Sequence, residues 1–129
     1  MLAVGVDLIE VARIEQARER HGERFYRRFF TEQERRFCED NATRLAGRFA
    51  VKEAVAKALG TGIGDINWTD IEVVCDERGK PELVLHERAE KLAQEKGYIH
   101  WAISLSHTET HAVGMATAIQ QLIVRDEKQ

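Results

Sequence analysis

The residues of this chain that could do chemistry are concentrated in one segment, residues 46–62. Arg48, Lys52, Glu53 and Lys57 all lie within it. At about 100° per residue, the apolar side chains of this segment spread around most of a helix, so the helix should be largely buried. Buried charges are costly unless something compensates them. A bound polyanion would compensate the cations, and a metal ion would explain the single carboxylate of Glu53 among them.

A simpler explanation covers two of these charges. Glu53 and Lys57 lie four residues apart, in the order that favours an intrahelical ion pair, and such a pair is a sufficient structural reason for both. It does not explain why two further cations, Arg48 and Lys52, lie on the same buried helix. The segment therefore remains a predicted binding site for an anion and a metal.

A glycine-rich turn, residues 60–64, follows this helix and contains Gly60 and Gly62. Glycines can bring backbone N–H groups close to phosphate oxygens, so both residues are predicted to contact a phosphate-bearing ligand. No Gly-Lys-Ser/Thr sequence follows, which excludes a P-loop. Alternatively, Gly60 serves only to end the helix, since helices commonly stop at a glycine with positive φ.

Two shorter polar clusters complete the candidate site. Asp7 closes a short apolar run typical of a strand, which would place it at the rim of a sheet; a helix N-cap or a surface acid is the alternative. Ser106, His107 and Thr108 fall at the predicted tip of a hairpin, where they could bind a phosphate or merely close the turn. Zinc binding by His107 and His111 is disfavoured, because the intervening glutamate is displaced by one residue from the metalloprotease spacing.

The elements that must position these residues mix strands and helices without a regular βαβ alternation. This pattern predicts an α+β domain with a mainly antiparallel sheet packed against helices. Thr31 and Glu34 have the spacing of a capping box, which predicts a helix start. The predicted strands are Leu2–Leu8, Ile71–Cys75, Glu82–Leu85, Trp101–Ser106 and Ala112–Ile119, and the predicted helices are Glu10–His21, one from Thr31 towards Asn41, Thr43–Leu59 and Glu87–Lys96.

Length and composition indicate one globular domain over residues 1–129, with a polar, peripheral tail from about residue 120. The chain is 43% apolar and 32% charged, which is typical of globular proteins. It has neither a signal-peptide pattern nor an apolar run long enough to span a bilayer, so we expect a cytoplasmic location and no membrane partner. Cys38 and Cys75 lack metal-ligand spacing and are expected to be free thiols.

Basic residues are concentrated near the N-terminus, although the net charge is −3. Arg13, Arg20 and Arg24 are the leading candidates for a patch on the first helix that binds an acidic protein. A solvated helix face with Glu–Arg pairs is the alternative. The pI near 6.0 and the lack of an aromatic-basic strand motif argue against nucleic-acid binding.

Together, the three clusters resemble the small 4′-phosphopantetheinyl transferases, and the resemblance covers the chain from its start to about Ile119. It implies transfer of the 4′-phosphopantetheine group from coenzyme A to a serine of an acyl carrier protein, with release of adenosine 3′,5′-bisphosphate. It also implies a homotrimer with active sites at subunit interfaces. The matching stretches, in the family's order and spacing, are Gly5-Val-Asp-Leu-Ile-Glu10, Leu45-Ala-Gly-Arg-Phe-Ala-Val-Lys-Glu-Ala-Val-Ala-Lys-Ala-Leu-Gly-Thr-Gly-Ile-Gly64, Gly79-Lys-Pro81 and Ser104-Leu-Ser-His-Thr108.

The resemblance further implies that Asp7 and Glu53 hold Mg²⁺, an ion that prefers one or two carboxylates together with waters and phosphate oxygens. Mn²⁺ would suit the same ligands. Asp7, Glu53 and Lys57 are the predicted catalytic residues, with Lys57 facing the pyrophosphate to stabilise or protonate the departing phosphate. The sequence indicates no general base. The residues expected to contact coenzyme A are Arg48, Lys52, Lys57, Gly60, Gly62, Ser106, His107 and Thr108, of which Arg48 and His107 are assigned to its phosphates.

Two functions of different classes are compatible with this set of residues. The first is a Mg²⁺-dependent transferase whose arginine patch docks an acidic carrier protein. The alternative is a non-catalytic module that binds coenzyme A, a nucleotide or an acidic protein through the same basic surface. Only the enzyme requires both Asp7 and Glu53, so substitutions at these two positions distinguish the hypotheses.

Overall fold

The computed structural model describes residues 1–61 and 65–121. Gly62, expected to contact a phosphate, and most of the tail expected from about residue 120 lie outside these ranges. Among the described residues, no helix is long and apolar enough to cross a membrane. In chain order the elements are β1 (Leu2–Glu10), α1 (Val11–His21), α2 (Glu23–Phe29), α3 (Glu32–Cys38), α4 (Ala42–Ala58), a 3₁₀ turn (Trp68–Asp70), β2 (Ile71–Cys75), β3 (Pro81–Leu85), α5 (Glu87–Glu95), β4 (Tyr98–His107) and β5 (His111–Gln120).

The strands form two antiparallel sheets. The larger has the order β1-β5-β4, and β2 pairs with β3 in a separate hairpin. The predicted α+β class is therefore confirmed, with the strands divided between two sheets. Because side chains alternate along a strand, the larger sheet has two faces. Its inner face packs against α4, whereas its outer face, which carries Val4 and Val6, is exposed.

Helix α4 lies across the inner face of the larger sheet and forms the centre of the core. Two glycines of the sheet let the helix backbone approach the strands closely. A Cβ at Gly5 would lie 1.8 Å from the Ala54 carbonyl oxygen, and a Cβ at Gly114 would lie 2.4 Å from the Val51 amide nitrogen. These contacts fix the distance between helix and sheet, because protein interiors leave no room for added atoms. Most residues of α4 are buried, as predicted.

Three local features bear on the site. The first strand does not close at Asp7; β1 continues to Glu10, because residues 8–10 keep pairing with β5. The sequence pattern does not predict α2, which begins directly after Gly22 ends α1 with a φ of +54°. The predicted capping box is confirmed, since the Glu34 N–H donates to Thr31 Oγ1 at 3.2 Å and the Thr31 N–H donates to Glu34 Oε1 at 2.9 Å.

Candidate active site

Asp7, Glu53 and Lys57 lie together at the edge of the larger sheet. β1 is an edge strand, and Asp7 projects from its inner face towards α4. The Lys57 Nζ donates to Asp7 Oδ1 at 3.0 Å and to the Val6 carbonyl oxygen at 3.0 Å. The Asp7 side chain is 19% exposed and that of Lys57 is 53% exposed. An ammonium has three N–H donors, so one of them remains for a ligand.

Among residues 1–61 and 65–121, the Glu53 carboxylate has no ion pair or hydrogen bond comparable to the one between Asp7 and Lys57. Burial raises the pKa of Glu53, the charge of Asp7 raises it further, and Lys57 opposes these two effects without cancelling them. The intrahelical ion pair is not formed, because Lys57 pairs with Asp7 instead. Two carboxylates therefore face one ammonium, and an additional positive charge would stabilise the ionised form of Glu53.

This donor set fits a divalent cation of the Mg²⁺ type. Asp7 and Glu53 supply two carboxylates, and Mg²⁺ sites commonly take their remaining ligands from waters and substrate phosphates. The described part of the chain contains no cluster of three or more His, Cys, Asp or Glu side chains able to hold a metal. A cation at this edge would therefore depend on oxygens of the substrate.

Lys52 lies in the core rather than at this edge, and its side chain is 0% exposed. Its Nζ donates to Glu34 Oε1 at 2.7 Å, to the Trp68 carbonyl oxygen at 3.1 Å and to the Ile71 carbonyl oxygen at 2.5 Å. Burial lowers the pKa of Lys52, and the Glu34 carboxylate opposes that shift. The compensation that the sequence assigned to a bound polyanion therefore comes from Glu34 at this position. No N–H donor of Lys52 is left for a ligand.

The sequence does not reveal Glu34 as the partner of Lys52. The capping-box spacing predicts that Glu34 lies at a helix start, and its carboxylate does accept the Thr31 N–H. The same carboxylate also accepts the Val73 N–H at 2.9 Å. For the contacts of Glu34 with residues distant in sequence, the only signal in the sequence is the buried cation itself, because it requires an anion somewhere in the fold.

Arg48 is buried in the N-terminal half of α4, and its charge is less well compensated than that of Lys52. One Nη lies 3.3 Å from the Cys75 Sγ, the other lies 3.5 Å from the Arg44 carbonyl oxygen, and the guanidinium carbon is 4.4 Å from the centre of the Phe37 ring. Within the described ranges, the Arg48 Nε has no hydrogen-bond partner. Arg48 is therefore a charged group that an anion would stabilise.

The β4–β5 hairpin separates residues that were predicted to act together. β4 extends to His107, so Ser106 lies within the strand and not at a loop tip. Because neighbouring side chains alternate, Ser106 is on the outer face of the sheet and His107 is on the inner side. His107 lines a shallow cleft together with Arg44 and Thr108.

Thr108 and Gly60 both form turns. Thr108 Oγ1 accepts the N–H groups of Thr110 at 3.2 Å and His111 at 3.1 Å, which is the turn bonding considered for this cluster. Gly60 has a φ of +70°, and its N–H donates to the Lys57 carbonyl oxygen at 3.0 Å. This arrangement is a glycine stop at the end of α4. Coenzyme A contacts at both residues stay predictions.

The structure therefore brings only part of the predicted site together. Asp7, Glu53 and Lys57 form one group. Arg48 and His107 lie closer to the N-terminal end of α4, where His107 lines a cleft with Arg44 and not with Arg48; we call these two residues the second polar group. Lys57 lies nine positions after Arg48, which corresponds to about 13 Å along a helix. A single chain thus presents two separate polar groups.

The three arginines predicted to bind an acidic partner are exposed. Arg13 and Arg20 lie on α1, as predicted, whereas the placement of Arg24 on the first helix is wrong. Arg24 lies on α2, which begins after Gly22 ends α1. Across residues 1–61 and 65–121, none of the three forms an ion pair with a carboxylate of the chain. Their charges are therefore available to a partner.

Comparisons with known proteins identify the family. The family model described as the 4′-phosphopantetheinyl transferase superfamily matches residues 3–116. The holo-[acyl-carrier-protein] synthase of Herpetosiphon aurantiacus is 48% identical over 126 residues, covering 92% of this chain and 99% of that protein. The corresponding synthase of Carboxydothermus hydrogenoformans is 47% identical over 118 residues, covering 89% and 95%.

The fold agrees as well. The crystal structure of Helicobacter pylori holo-[acyl-carrier-protein] synthase in complex with coenzyme A matches with a TM-score of 0.83 at 29% identity, covering 90% of this chain and 99% of that one. The family match spans most of the sequence, and the similarity to these synthases extends over nearly their whole length. This chain belongs to the 4′-phosphopantetheinyl transferase superfamily.

Proposed function

We propose that this chain transfers the 4′-phosphopantetheine group from coenzyme A to a serine of an apo acyl carrier protein, releasing adenosine 3′,5′-bisphosphate, with Mg²⁺ as cofactor. The observation that carries the proposal is the convergence of Asp7, Glu53 and Lys57 at the edge of the larger sheet. The synthase names of its relatives, and the coenzyme A in a related structure, support the same reaction.

The reaction is a displacement at phosphorus. The serine oxygen bonds to the phosphorus on the pantetheine side of the pyrophosphate, and the bond from that phosphorus to the bridging oxygen breaks. The serine proton passes to solvent water, and negative charge develops on the bridging oxygen as adenosine 3′,5′-bisphosphate leaves. Enzymes promote such transfers mainly by positioning and by electrostatic stabilisation.

The residues at the sheet edge match these needs. Asp7 and Glu53 would hold Mg²⁺, which when bound neutralises charge on the pyrophosphate oxygens. Lys57 directs its remaining N–H towards the leaving phosphate, which it stabilises or protonates. Asp7 and the Val6 carbonyl oxygen, each 3.0 Å from the Lys57 Nζ, hold the ammonium in place for this role.

In this proposal the active form is a homotrimer, and the outer face of the larger sheet supports self-association. Five apolar side chains of β1 and β5 on that face are between 45% and 66% exposed. An apolar face of this kind is typical of an interaction surface. The five residues are Val4, Val6, Leu8, Met115 and Ile119.

Association would also give the second polar group a role. Arg48 and His107 are separated from Lys57, so in a trimer with active sites between subunits they would serve the site of a neighbouring copy by binding coenzyme A phosphates. Thr108 and Gly60 would add contacts from their turns. Lys52 has no place in the proposed coenzyme A site, because all its donors are used inside the protein.

Arg13, Arg20 and Arg24 form the docking surface for the acidic carrier protein. Cations at the rim of an interface mainly raise the association rate and make it sensitive to salt. Their exposure, and the lack of ion pairs to carboxylates of the described chain, are the observations that support this role.

The proposed activity is tested by incubating the protein with coenzyme A, Mg²⁺ and an apo carrier protein and then measuring the mass of the carrier. The wild type should add one phosphopantetheine group per carrier. Asp7→Asn and Glu53→Gln should each slow the reaction by about 10²-fold or more while the protein stays folded. Glu90→Gln, which changes an exposed carboxylate of α5, is the matched control and should react normally.

An unmodified carrier with folded wild-type protein would contradict the transferase. Retained coenzyme A binding in that experiment would favour the non-catalytic alternative. Normal turnover by folded Glu53→Gln would refute the metal assignment.

A further inference from the structure

The hydrogen bonds of Lys52 lie next to the proposed active site, although Lys52 does not reach it. Lys52 directly precedes Glu53, so their side chains leave α4 about 100° apart. Glu53 faces the sheet edge and Asp7. Lys52 instead faces the opposite layer of the molecule, formed by α3, the 3₁₀ turn and β2.

We call the contacts of Lys52 and Glu34 the polar clamp. Lys52 donates to Glu34 on α3, to the Trp68 carbonyl oxygen on the 3₁₀ turn and to the Ile71 carbonyl oxygen on β2. Glu34 in turn accepts the Val73 N–H of β2 at 2.9 Å. The clamp therefore ties one side of α4 to three separate elements through bonds that require defined directions.

Stability alone does not account for such a clamp. A buried ion pair loses the hydration of both charges, and apolar side chains of similar volume are often equally stabilising or better. The rest of the buried surface of α4 consists largely of Ala, Val and Leu. Directional hydrogen bonds provide what apolar contacts do not, namely a defined rotation of the helix about its axis.

The proposed cation site needs that rotation to be fixed. A carboxylate lies roughly 6 Å from the helix axis. A 10° rotation would therefore move it by about 1 Å, whereas functional groups must be held within about 0.5 Å. The glycine contacts at Gly5 and Gly114 set the distance between α4 and the sheet. The polar clamp acts on the other side of the helix, where it opposes rotation.

We propose that Glu34, acting through Lys52, is a positioning residue that holds Glu53 in place against Asp7. Neither Glu34 nor Lys52 touches the substrate in this role. The inference rests on the proposed function, because it presupposes that Asp7 and Glu53 hold the cation.

The test uses Mn²⁺ as the probe, because it accepts the same ligands as Mg²⁺ and its binding is measured directly by electron paramagnetic resonance. Coenzyme A is present at saturation in every measurement, because the cation site is completed by phosphate oxygens. Lys52→Met removes the ammonium from a side chain of similar shape. Glu34→Gln keeps the shape but places an amide NH₂ where each partner is itself a donor. In both variants we expect the Kd for Mn²⁺ to rise at least tenfold and kcat to fall at least tenfold, with an unchanged KM for the carrier protein.

Two further variants separate positioning from stability. Leu45→Ala alters a fully buried residue of α4 about two turns from Glu53, and it should bind Mn²⁺ like the wild type despite a lower Tm. The double variant Glu34→Gln/Lys52→Met removes both charges of the clamp, so neither is left buried without its partner, and it replaces the single variants if one of them does not fold. It should also show the tenfold loss of Mn²⁺ affinity.

The positioning role is overturned if the clamp variants bind Mn²⁺ as tightly as the wild type does. It is also overturned if their loss of Mn²⁺ affinity is no greater than that of Leu45→Ala. In either case Glu34 and Lys52 would have only a structural role. The proposed cation site is tested separately by Glu53→Gln. If this variant binds Mn²⁺ as the wild type does, the metal assignment fails and the positioning role fails with it.

Discussion

At the scale of single residues, Arg48 and Lys52 show how two similar cations differ in a fold. They lie one turn apart on α4, and both are buried. Lys52 pairs with Glu34, whereas the contacts of Arg48 are with a thiol, a carbonyl oxygen and the ring of Phe37. Arg48, the less well compensated of the two cations, is the better candidate for binding an anion, because a ligand would reduce an existing electrostatic cost.

Glu72 is another buried carboxylate outside the proposed active site. Burial acts to raise its pKa, but hydrogen bonds from Thr31 at 2.5 Å and His86 at 3.0 Å act against burial, with the charges of His86 and Lys52 adding to them. The net result is a pKa below the usual 4.5. A group whose pKa is lowered by folding stabilises the protein above its unfolded pKa, and this contribution is lost as pH falls through the folded value.

We therefore predict that Glu72→Gln lowers the free energy of unfolding by about 1–2 kcal/mol at pH 7. The difference from wild type should shrink below pH 4.5, as the wild-type carboxylate becomes protonated. Urea denaturation at several pH values measures both effects. The matched control is Glu82→Gln, an exposed carboxylate of β3. A difference that stays constant down to the acid limit would contradict the linkage.

At the scale of elements, the packing of α4 on the larger sheet depends on backbone contacts that only glycine permits. Gly5 and Gly114 lie beneath the helix, and an added Cβ would overlap backbone atoms at both positions. Gly47 differs, because its Cβ would meet the flexible Leu105 side chain at 3.2 Å. The first two positions therefore also determine how far Glu53 is from Asp7.

This contrast predicts that Gly5→Ala destabilises the protein by about 2–3 kcal/mol, since backbone must move to accept the methyl group. Gly47→Ala should change stability by less than about 1 kcal/mol, because the higher helix propensity of Ala offsets the close contact with Leu105. Urea denaturation of both variants gives the comparison. Equal losses would show that the Gly5 contact is not the constraint that we describe.

At the scale of the whole molecule, the exposed outer face of the larger sheet and the separation of the two polar groups are related features. The face offers an apolar surface for self-association. The polar groups provide a reason for it, because Arg48 and His107 are far from Lys57 within one chain. Assembly of several copies would allow one chain to complete the active site of another.

Accordingly, the wild type should sediment as a trimer at micromolar concentration, whereas Val4→Asp should sediment as a monomer, because it places a charge on that face. The monomeric variant should also bind coenzyme A at least tenfold more weakly. Gln94→Glu adds the same charge on exposed α5 and should remain trimeric. A monomeric wild type with full activity would contradict the proposed assembly.

Local sequence patterns predicted much of this protein. Helical periodicity indicated a buried α4, the spacing of Thr31 and Glu34 indicated the start of α3, and alternation indicated strands that pair antiparallel. The predicted catalytic residues, Asp7, Glu53 and Lys57, were named through the family resemblance and not through a local pattern. Each of the local signals involves neighbours within a few positions, where chain geometry alone relates residue type to structure.

The tertiary structure alone decided which distant groups meet. Lys52 is compensated by a carboxylate 18 positions earlier in the sequence, Lys57 pairs with Asp7 rather than Glu53, and Ser106 and His107 lie on opposite faces of a longer strand. Local periodicity cannot determine such outcomes. They depend on how far a strand continues to pair and on which surfaces of remote elements are packed against each other.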